Sequence, residues 1–309
     1  MLAVAAAVVT IVVVNTSYFG PQKTVQDYLQ ALRDGDGAKA LGLLHATVPS
    51  VNAAVLNGSG LKESQADIKD VSVGKPKGLP GNKSQVTVSY TIDGAKLSTD
   101  FELAKGPKHW LFFDTWTFVP ATLPTLDVSV INATQASLNG IDVNMPSGKN
   151  SFAVFYPGKY DAEYRSDLFA APVVARNVTG PAAIPAVVLT TGPTTKLLSQ
   201  VDETIHGYLD ACAKQAVLMP ADCPLSASTD NRVVSAVKWS IVSYPEVSIT
   251  AYGGRWVMAP LTTKAQVDFQ EQNLYTGEIS KVKTVGDFGF SAKLSVTDSA
   301  VTVTPVVNY

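Results

Sequence analysis

From Leu2 to Val14 the chain is apolar at every position except Thr10, without a charge, a glycine or a proline. With Met1 before it and the amphipathic pair Tyr18-Phe19 after it, the run approaches the roughly 20 residues a helix needs to cross a bilayer. It is apolar all round, with no stripe such as a half-buried surface helix shows. A cleaved signal peptide is the rival reading. It requires a basic segment before the apolar core and a small-x-small site after it, whereas only Met1 precedes Leu2 and the exit reads Asn15-Thr16-Ser17-Tyr18-Phe19. The pattern therefore predicts a transmembrane anchor over 1–19. The missing basic flank leaves the positive-inside rule nothing to act on, and it points to a cytoplasmic stub ahead of Met1.

Behind that run the period changes several times. Pro21 suits the first turn of a helix, and Val25, Tyr28, Leu29 and Leu32 then form one helical stripe, broken by Asp34-Gly35-Asp36-Gly37. Ala40, Leu41, Leu43 and Leu44 mark a shorter helix ending before Pro49. After a polar stretch the pattern alternates: Val86, Val88, Tyr90 and Ile92 interleave with Thr87, Ser89 and Thr91, as in a half-buried strand. Asp93-Gly94 signals a two-residue hairpin, Phe101 and Leu103 a return strand, and Lys108–Val119 a third, aromatic strand. Helices followed by an antiparallel meander predict an α+β domain over 20–120, with the helices covering one sheet face.

Pro120 and Pro124 mark a linker. The next stretch, 121–195, holds short strand-like runs at Leu126–Val130, Phe152–Tyr156, Tyr160–Tyr164 and Val187–Leu189, separated by Asn139-Gly140, Ser147-Gly148, Pro157-Gly158 and Gly180-Pro181. No helical stripe intervenes, which predicts a β-sandwich. From Thr194-Thr195 an amphipathic helix follows, with Leu198, Val201, Ile205, Leu209 and Cys212 on its apolar side and Pro220 as its stop. Strand patterns then resume through Val233–Ile249, a Tyr252-Gly253-Gly254 turn, Trp256–Met258, the alternating Ala265, Val267 and Phe269, and Phe288–Val307. Residues 196–309 read as a second helix-plus-antiparallel-sheet domain. The expected fold class is thus α+β and all-β modules behind one transmembrane helix.

The opening TVQDYLQALRDGDGAKALGLL, followed by a meander ending in WLFFDTWTF, resembles the cone-shaped folds related to nuclear transport factor two. It is most similar to the extracytoplasmic versions that stand behind single membrane anchors in Gram-positive, actinobacterial-type bacteria. Leu138-Asn139-Gly140 with Tyr156-Pro157-Gly158-Lys159-Tyr160 resembles small all-β modules of anchored envelope proteins, including the TcaA-like proteins linked to glycopeptide-antibiotic responses. The resemblance implies a layout of cone, sandwich and second cone, and modules that serve as spacers or ligand platforms. Since the cone fold hosts enzymes and binding modules alike, it leaves the activity open.

Composition narrows the choice. The 309 residues carry 24 basic and 26 acidic side chains for a net charge of -2, without the clustered basic face of a nucleic-acid binder. Two cysteines, Cys212 and Cys223, fit one disulfide in an oxidising compartment; two reduced thiols are the alternative. A bridge between them staples the end of the third helix to its exit loop. His45, His109 and His206 lie in separate segments with no nucleophile motif to form a triad. Asp202 and Glu203 share a helix with His206 but lack the further ligands of a metal site, so a solvated face is expected there. No metal and no cofactor is expected.

The aromatic strand is the most suggestive feature. Trp110, Phe112 and Trp116, with Tyr90 on a neighbouring strand and Asp100 or Asp114 as a polar group, are candidates to line a pocket for a small apolar ligand or an apolar partner segment. The competing assignment is core packing beneath the helices, and the pocket requires an apolar cavity in the first domain. The expected function is a non-enzymatic, single-pass protein of the cell membrane whose extracytoplasmic modules bind cell-wall polymer or a membrane protein complex. A cone-fold enzyme or small-ligand carrier is the alternative.

Overall fold

The computed structural model describes residues 19–108, 114–296 and 300–307. The fold is mixed α+β and rich in antiparallel sheet. Among the described residues no helix is long and apolar enough to cross a membrane; residues 1–18, where the anchor is expected, lie outside them. The chain divides into two compact units, 1–165 with 171–190, and 166–170 with 191–309.

The first unit opens with three helices, α1 (Pro21–Asp34), α2 (Gly37–Leu44) and α3 (Gly58–Ala66). The break between α1 and α2 follows from its four residues. Gly35 caps α1 in the left-handed conformation at φ 72°, which glycine adopts without a Cβ penalty. The Asp36 carboxylate then caps α2 by accepting from the Lys39 amide at 2.9 Å. Gly37 must be glycine, since a Cβ there would stand 1.8 Å from the Leu56 carbonyl oxygen. Val25, Tyr28, Leu29 and Leu32 are all buried, as the stripe predicts.

The helices are followed by β1 (Lys69–Val73), β2 (Lys77–Leu79), β3 (Lys83–Ile92), β4 (Ala95–Lys105) and β5 (Trp116–Phe118), in the order β1-β3-β4-β5 with β2 beside β3. The β3–β4 hairpin turns at Asp93-Gly94, both at positive φ, with Ile92 opposite Ala95. Next come β6 (Thr125–Val130), β7 (Gln135–Leu138), β8 (Ile141–Asn144), β9 (Lys149–Ala153), β10 (Gly158–Arg165), β11 (Phe169–Val178) and β12 (Val187–Leu189). One sheet runs β11-β10-β7-β8 and the other β12-β6-β9. The β7–β8 turn is Asn139-Gly140, again both at positive φ. Buried side chains from α1, from β3 and β4, and from both of these sheets form one continuous core.

A buried knot at Phe155–Tyr160 ties that core together. The Tyr28 hydroxyl donates to the Tyr156 carbonyl at 2.7 Å, and Gln65 Nε2 to the Pro157 carbonyl at 2.9 Å. The Tyr160 hydroxyl accepts from the Phe155 amide at 2.9 Å and donates to its carbonyl at 3.0 Å. Burial pushes both phenols up: Tyr28 well above the ordinary tyrosine value, Tyr160 clearly above it. Tyr28 also meets Phe101, Phe118 and Phe155 edge-on, at centroid distances of 5.6, 5.4 and 6.4 Å. Such satisfied polar groups hold a core in one arrangement because each would be costly if left unpaired.

The second unit begins with β13 (Gly192–Pro193), which pairs Phe169 and Ala170, and α4 (Thr195–Ala213). The Thr194 hydroxyl caps the helix by accepting from the Leu197 amide. Its buried row is Leu197, Val201, Ile205, Leu209 and Cys212. Leu197 replaces the expected Leu198, because a four-residue step from Val201 stays closer to the same face. The helix stops at Ala213, before Pro220. Then follow β14 (Arg232–Val233), β15 (Lys238–Ser243), β16 (Ile249–Tyr252), β17 (Arg255–Met258), β18 (Leu261–Gln272), β19 (Ile279–Val296) and β20 (Val301–Val306). The sheet order is β14-β18-β19-β20, with β15 also on β18, while β16 and β17 form a separate hairpin around Gly253-Gly254. Cys212 and Cys223 are disulfide-bonded with Cα atoms 5.7 Å apart, and Trp239 Nε1 donates to the Val217 carbonyl inside the loop they close, at 2.9 Å.

Candidate functional site

The proposed pocket residues fall in different environments. Tyr90 is buried on the inner face of β3, where its hydroxyl shares a 2.8 Å hydrogen bond with Thr99 Oγ1, and burial raises its pKa. Asp100 is exposed, bound to the hydroxyl of Thr87 across the hairpin. Strand alternation puts it on the face opposite Phe101 and Thr99. Asp114 and Trp116 are brought together through Lys105: its ammonium pairs with Asp114 at 2.7 Å and sits 5.8 Å from the Trp116 ring centroid. Trp110 and Phe112 lie outside the described residues. Beside Tyr90, between Leu29, Ile68 and Val88, the free space is about 20 Å³. That is the room of about one water molecule.

Of the histidines, His45 and His206 lie at or near the surface, and His109 lies outside the described residues. His45 is exposed at the end of α2. His206 stacks on Tyr244 with ring centroids 3.9 Å apart, and the Tyr244 hydroxyl donates to Asp210 Oδ1 at 2.6 Å. That hydrogen bond to Asp210 raises the Tyr244 pKa. Among the described residues no group of three or more His, Cys, Asp or Glu side chains is placed to hold a metal.

A groove of about 580 Å³ lies elsewhere, on the outer face of the β12-β6-β9 sheet. Along β6, Leu126, Val128 and Val130 point into the core, which turns Asp127 and Ser129 outward. On β9, Ser151 stands opposite Asp127 and Lys149 opposite Ser129. The groove is flanked by Ser50 and Val51, held against β9 because the Asn52 amide donates to the Ser151 carbonyl at 3.0 Å. On the other side runs 185–186, whose two carbonyls accept from the Arg176 guanidinium at 3.1 and 3.0 Å. Both flanks are thus fixed by hydrogen bonds to backbone.

The charges in this groove are uncompensated. Asp127 accepts from the Ser151 hydroxyl at 2.5 Å, and neither Asp127 nor Lys149 forms an ion pair among the described residues. In a second groove of about 280 Å³, on β7, β8 and β10, Arg165 is closed onto its own Glu163 at 2.7 Å, which leaves that groove no unpaired cation beside Asp142. Contacts formed within the protein must be surrendered before a ligand can use those groups, whereas the Lys149 ammonium has no ion pair to surrender among the described residues.

No family model, curated protein or solved structure matches this chain.

The groove escapes a reading of the sequence because its residues come from four separated segments and are of types common on any surface. The signal that was present is modest. In the run Leu126-Asp127-Val128-Ser129-Val130 the polar residues mark an outward sheet face, whereas Lys149-Asn150-Ser151 is polar throughout and marks no face.

Proposed function

We propose that the protein is a non-enzymatic, single-pass membrane-anchored binding or scaffold protein whose extracytoplasmic modules associate with cell-envelope material or a membrane protein complex. The observation that carries this reading is the Cys212–Cys223 disulfide. Disulfides persist in oxidising compartments outside the cytoplasm, and the apolar run Leu2–Val14 supplies a means of holding the rest of the chain there. The helices followed by an antiparallel meander in 20–120 support the cone-like reading, the two sheets of 121–190 the sandwich reading, and α4 with its five-stranded sheet the second α+β module. A groove with free charges and rigid flanks suits recognition.

Affinity purification of the intact protein from membranes in mild detergent tests this. The expected result is recovery in the membrane fraction together with a stoichiometric protein complex or envelope polymer, with Cys212 and Cys223 resistant to alkylation until reduced. A protein recovered alone from the soluble fraction with both thiols alkylated would sink the proposal.

A further inference from the structure

We infer that the groove on the β12-β6-β9 sheet binds a short peptide with free termini, its ammonium on Asp127 and its carboxylate on Lys149. The inference deepens the binding function proposed above and rests on it. Asp127 and Lys149 project from the same sheet face as diagonal neighbours, since Asp127 stands opposite Ser151 and Lys149 opposite Ser129. Such diagonal positions are about 7–8 Å apart. Two extended residues span about 7 Å, so a dipeptide laid along the face matches the backbone spacing of the two positions, and the flexible lysine stem can carry its ammonium to the ligand carboxylate. The fit is chemical as well as metric. Each terminus meets one unpaired charge, and charge-assisted hydrogen bonds are about twice as strong as neutral ones. The Ser151 hydroxyl already holds the Asp127 carboxylate in place, while Ser50 adds a polar group along the groove.

The lining also argues for a peptide over a sugar. It contains no aromatic ring on which a pyranose face could rest. A neutral glycan would cover both charges without neutralising either, at a desolvation cost. A volume of about 580 Å³ exceeds a bare dipeptide backbone and leaves space for side chains.

The test is calorimetric titration of the full chain in detergent micelles with glycylglycine, N-acetylglycylglycine, glycylglycinamide and maltose. Glycylglycine is expected to bind saturably, and each blocked form about tenfold more weakly, a difference of about 1.4 kcal/mol. Lys149→Ala should abolish the discrimination between glycylglycine and its amide while keeping that against the acetylated form; Asp127→Ala should do the reverse. Both residues are exposed, and an unchanged melting temperature shows that each variant folds. Equal binding of free and blocked peptides overturns the inference. So does saturable binding of maltose without glycylglycine, or no peptide binding by a folded protein. None of these outcomes changes what co-purifies from membranes, so this inference and the function beneath it fail separately.

Discussion

The two units hold themselves together by different means. In the first, a continuous apolar core is locked from inside by hydrogen bonds that converge on Phe155–Tyr160, with Tyr28, Gln65 and Tyr160 each satisfying a backbone group far away in sequence or buried beside it. In the second, a smaller cluster around Trp239, Val267 and Phe269 lies beside a helix end that is covalently tied to its exit loop. Its β18–β19 hairpin ends in an exposed tip where Tyr275 is 98% accessible. The contrast teaches that an interior dense enough to bury its own polar network needs no cross-link. A two-layer unit with a long exposed hairpin gains more from one, because closing a loop in the unfolded chain adds stability independently of core size.

The comparison breaks most sharply at Phe155. Phe155→Ala opens a cavity at the centre of the knot, and a loss of about 3–5 kcal/mol is expected. It should be confined to the first unit when unfolding is followed by hydrogen exchange in denaturant. Protection lost equally in both units would show that they do not stabilise independently. The converse experiment is reduction of the disulfide or the double substitution Cys212→Ser with Cys223→Ser. A loss of about 2–4 kcal/mol is expected in the second unit, with exchange in α1 and β3 unchanged.

The smallest expected effect concerns charge. Lys159, largely buried, pairs with Asp67 at 2.6 Å, Asp93 at 3.1 Å and Asp161 at 3.6 Å. The hydrogen bond from Lys159 lowers the Asp67 pKa below its ordinary 3.8, and the same pairing raises that of Lys159 above its ordinary 10.5. A lowered carboxylate pKa stabilises the fold above the unfolded value, and that stabilisation fades as pH falls through the folded one. The raised ammonium contributes below the unfolded lysine value and loses its effect only as pH climbs past the folded one. Asp67 is half-exposed, so about 0.5–1 kcal/mol is the appropriate scale for its part. Lys159→Met should flatten the acid limb of the first unit's stability as pH falls through and below the ordinary aspartate value, read from urea midpoints, and leave that of the second unit as it was. An unaltered acid limb would remove the Lys159 cluster from the account of the first unit.

Much of the fold is legible from local rules. Asp93-Gly94 announces a hairpin and Asn139-Gly140 and Tyr252-Gly253-Gly254 announce turns, and each pair of central residues adopts the positive φ that hairpin turns demand. The stripe of α1 and the alternation of β3 foretold their buried faces. α3 was not legible: Gly-Ser-Gly-Leu-Lys-Glu-Ser-Gln-Ala carries two glycines and one large apolar residue. It is helical because Leu61 is buried in the core and because Ser64 and Gln65, polar yet buried, find the Leu61 and Pro157 carbonyls. The Leu61 carbonyl belongs to α3 itself, whereas the Pro157 carbonyl is supplied by the tertiary fold. The groove was illegible for a related reason, since register and not composition brings Asp127 and Lys149 onto one face.

The β12–β6 pairing bears on when that face comes into being. β12 pairs β6 in parallel, and Ser129 donates to the Val187 carbonyl across 58 residues of chain. A parallel partner so distant cannot form by a local hairpin, and non-local pairings form slowly. As the chain emerges from the ribosome, Asp127 and Lys149 are present long before the 185–187 flank can close beside them. A nascent protein halted short of Val187 therefore carries both charges on an unfinished groove, which is completed only at the end of the first unit's synthesis.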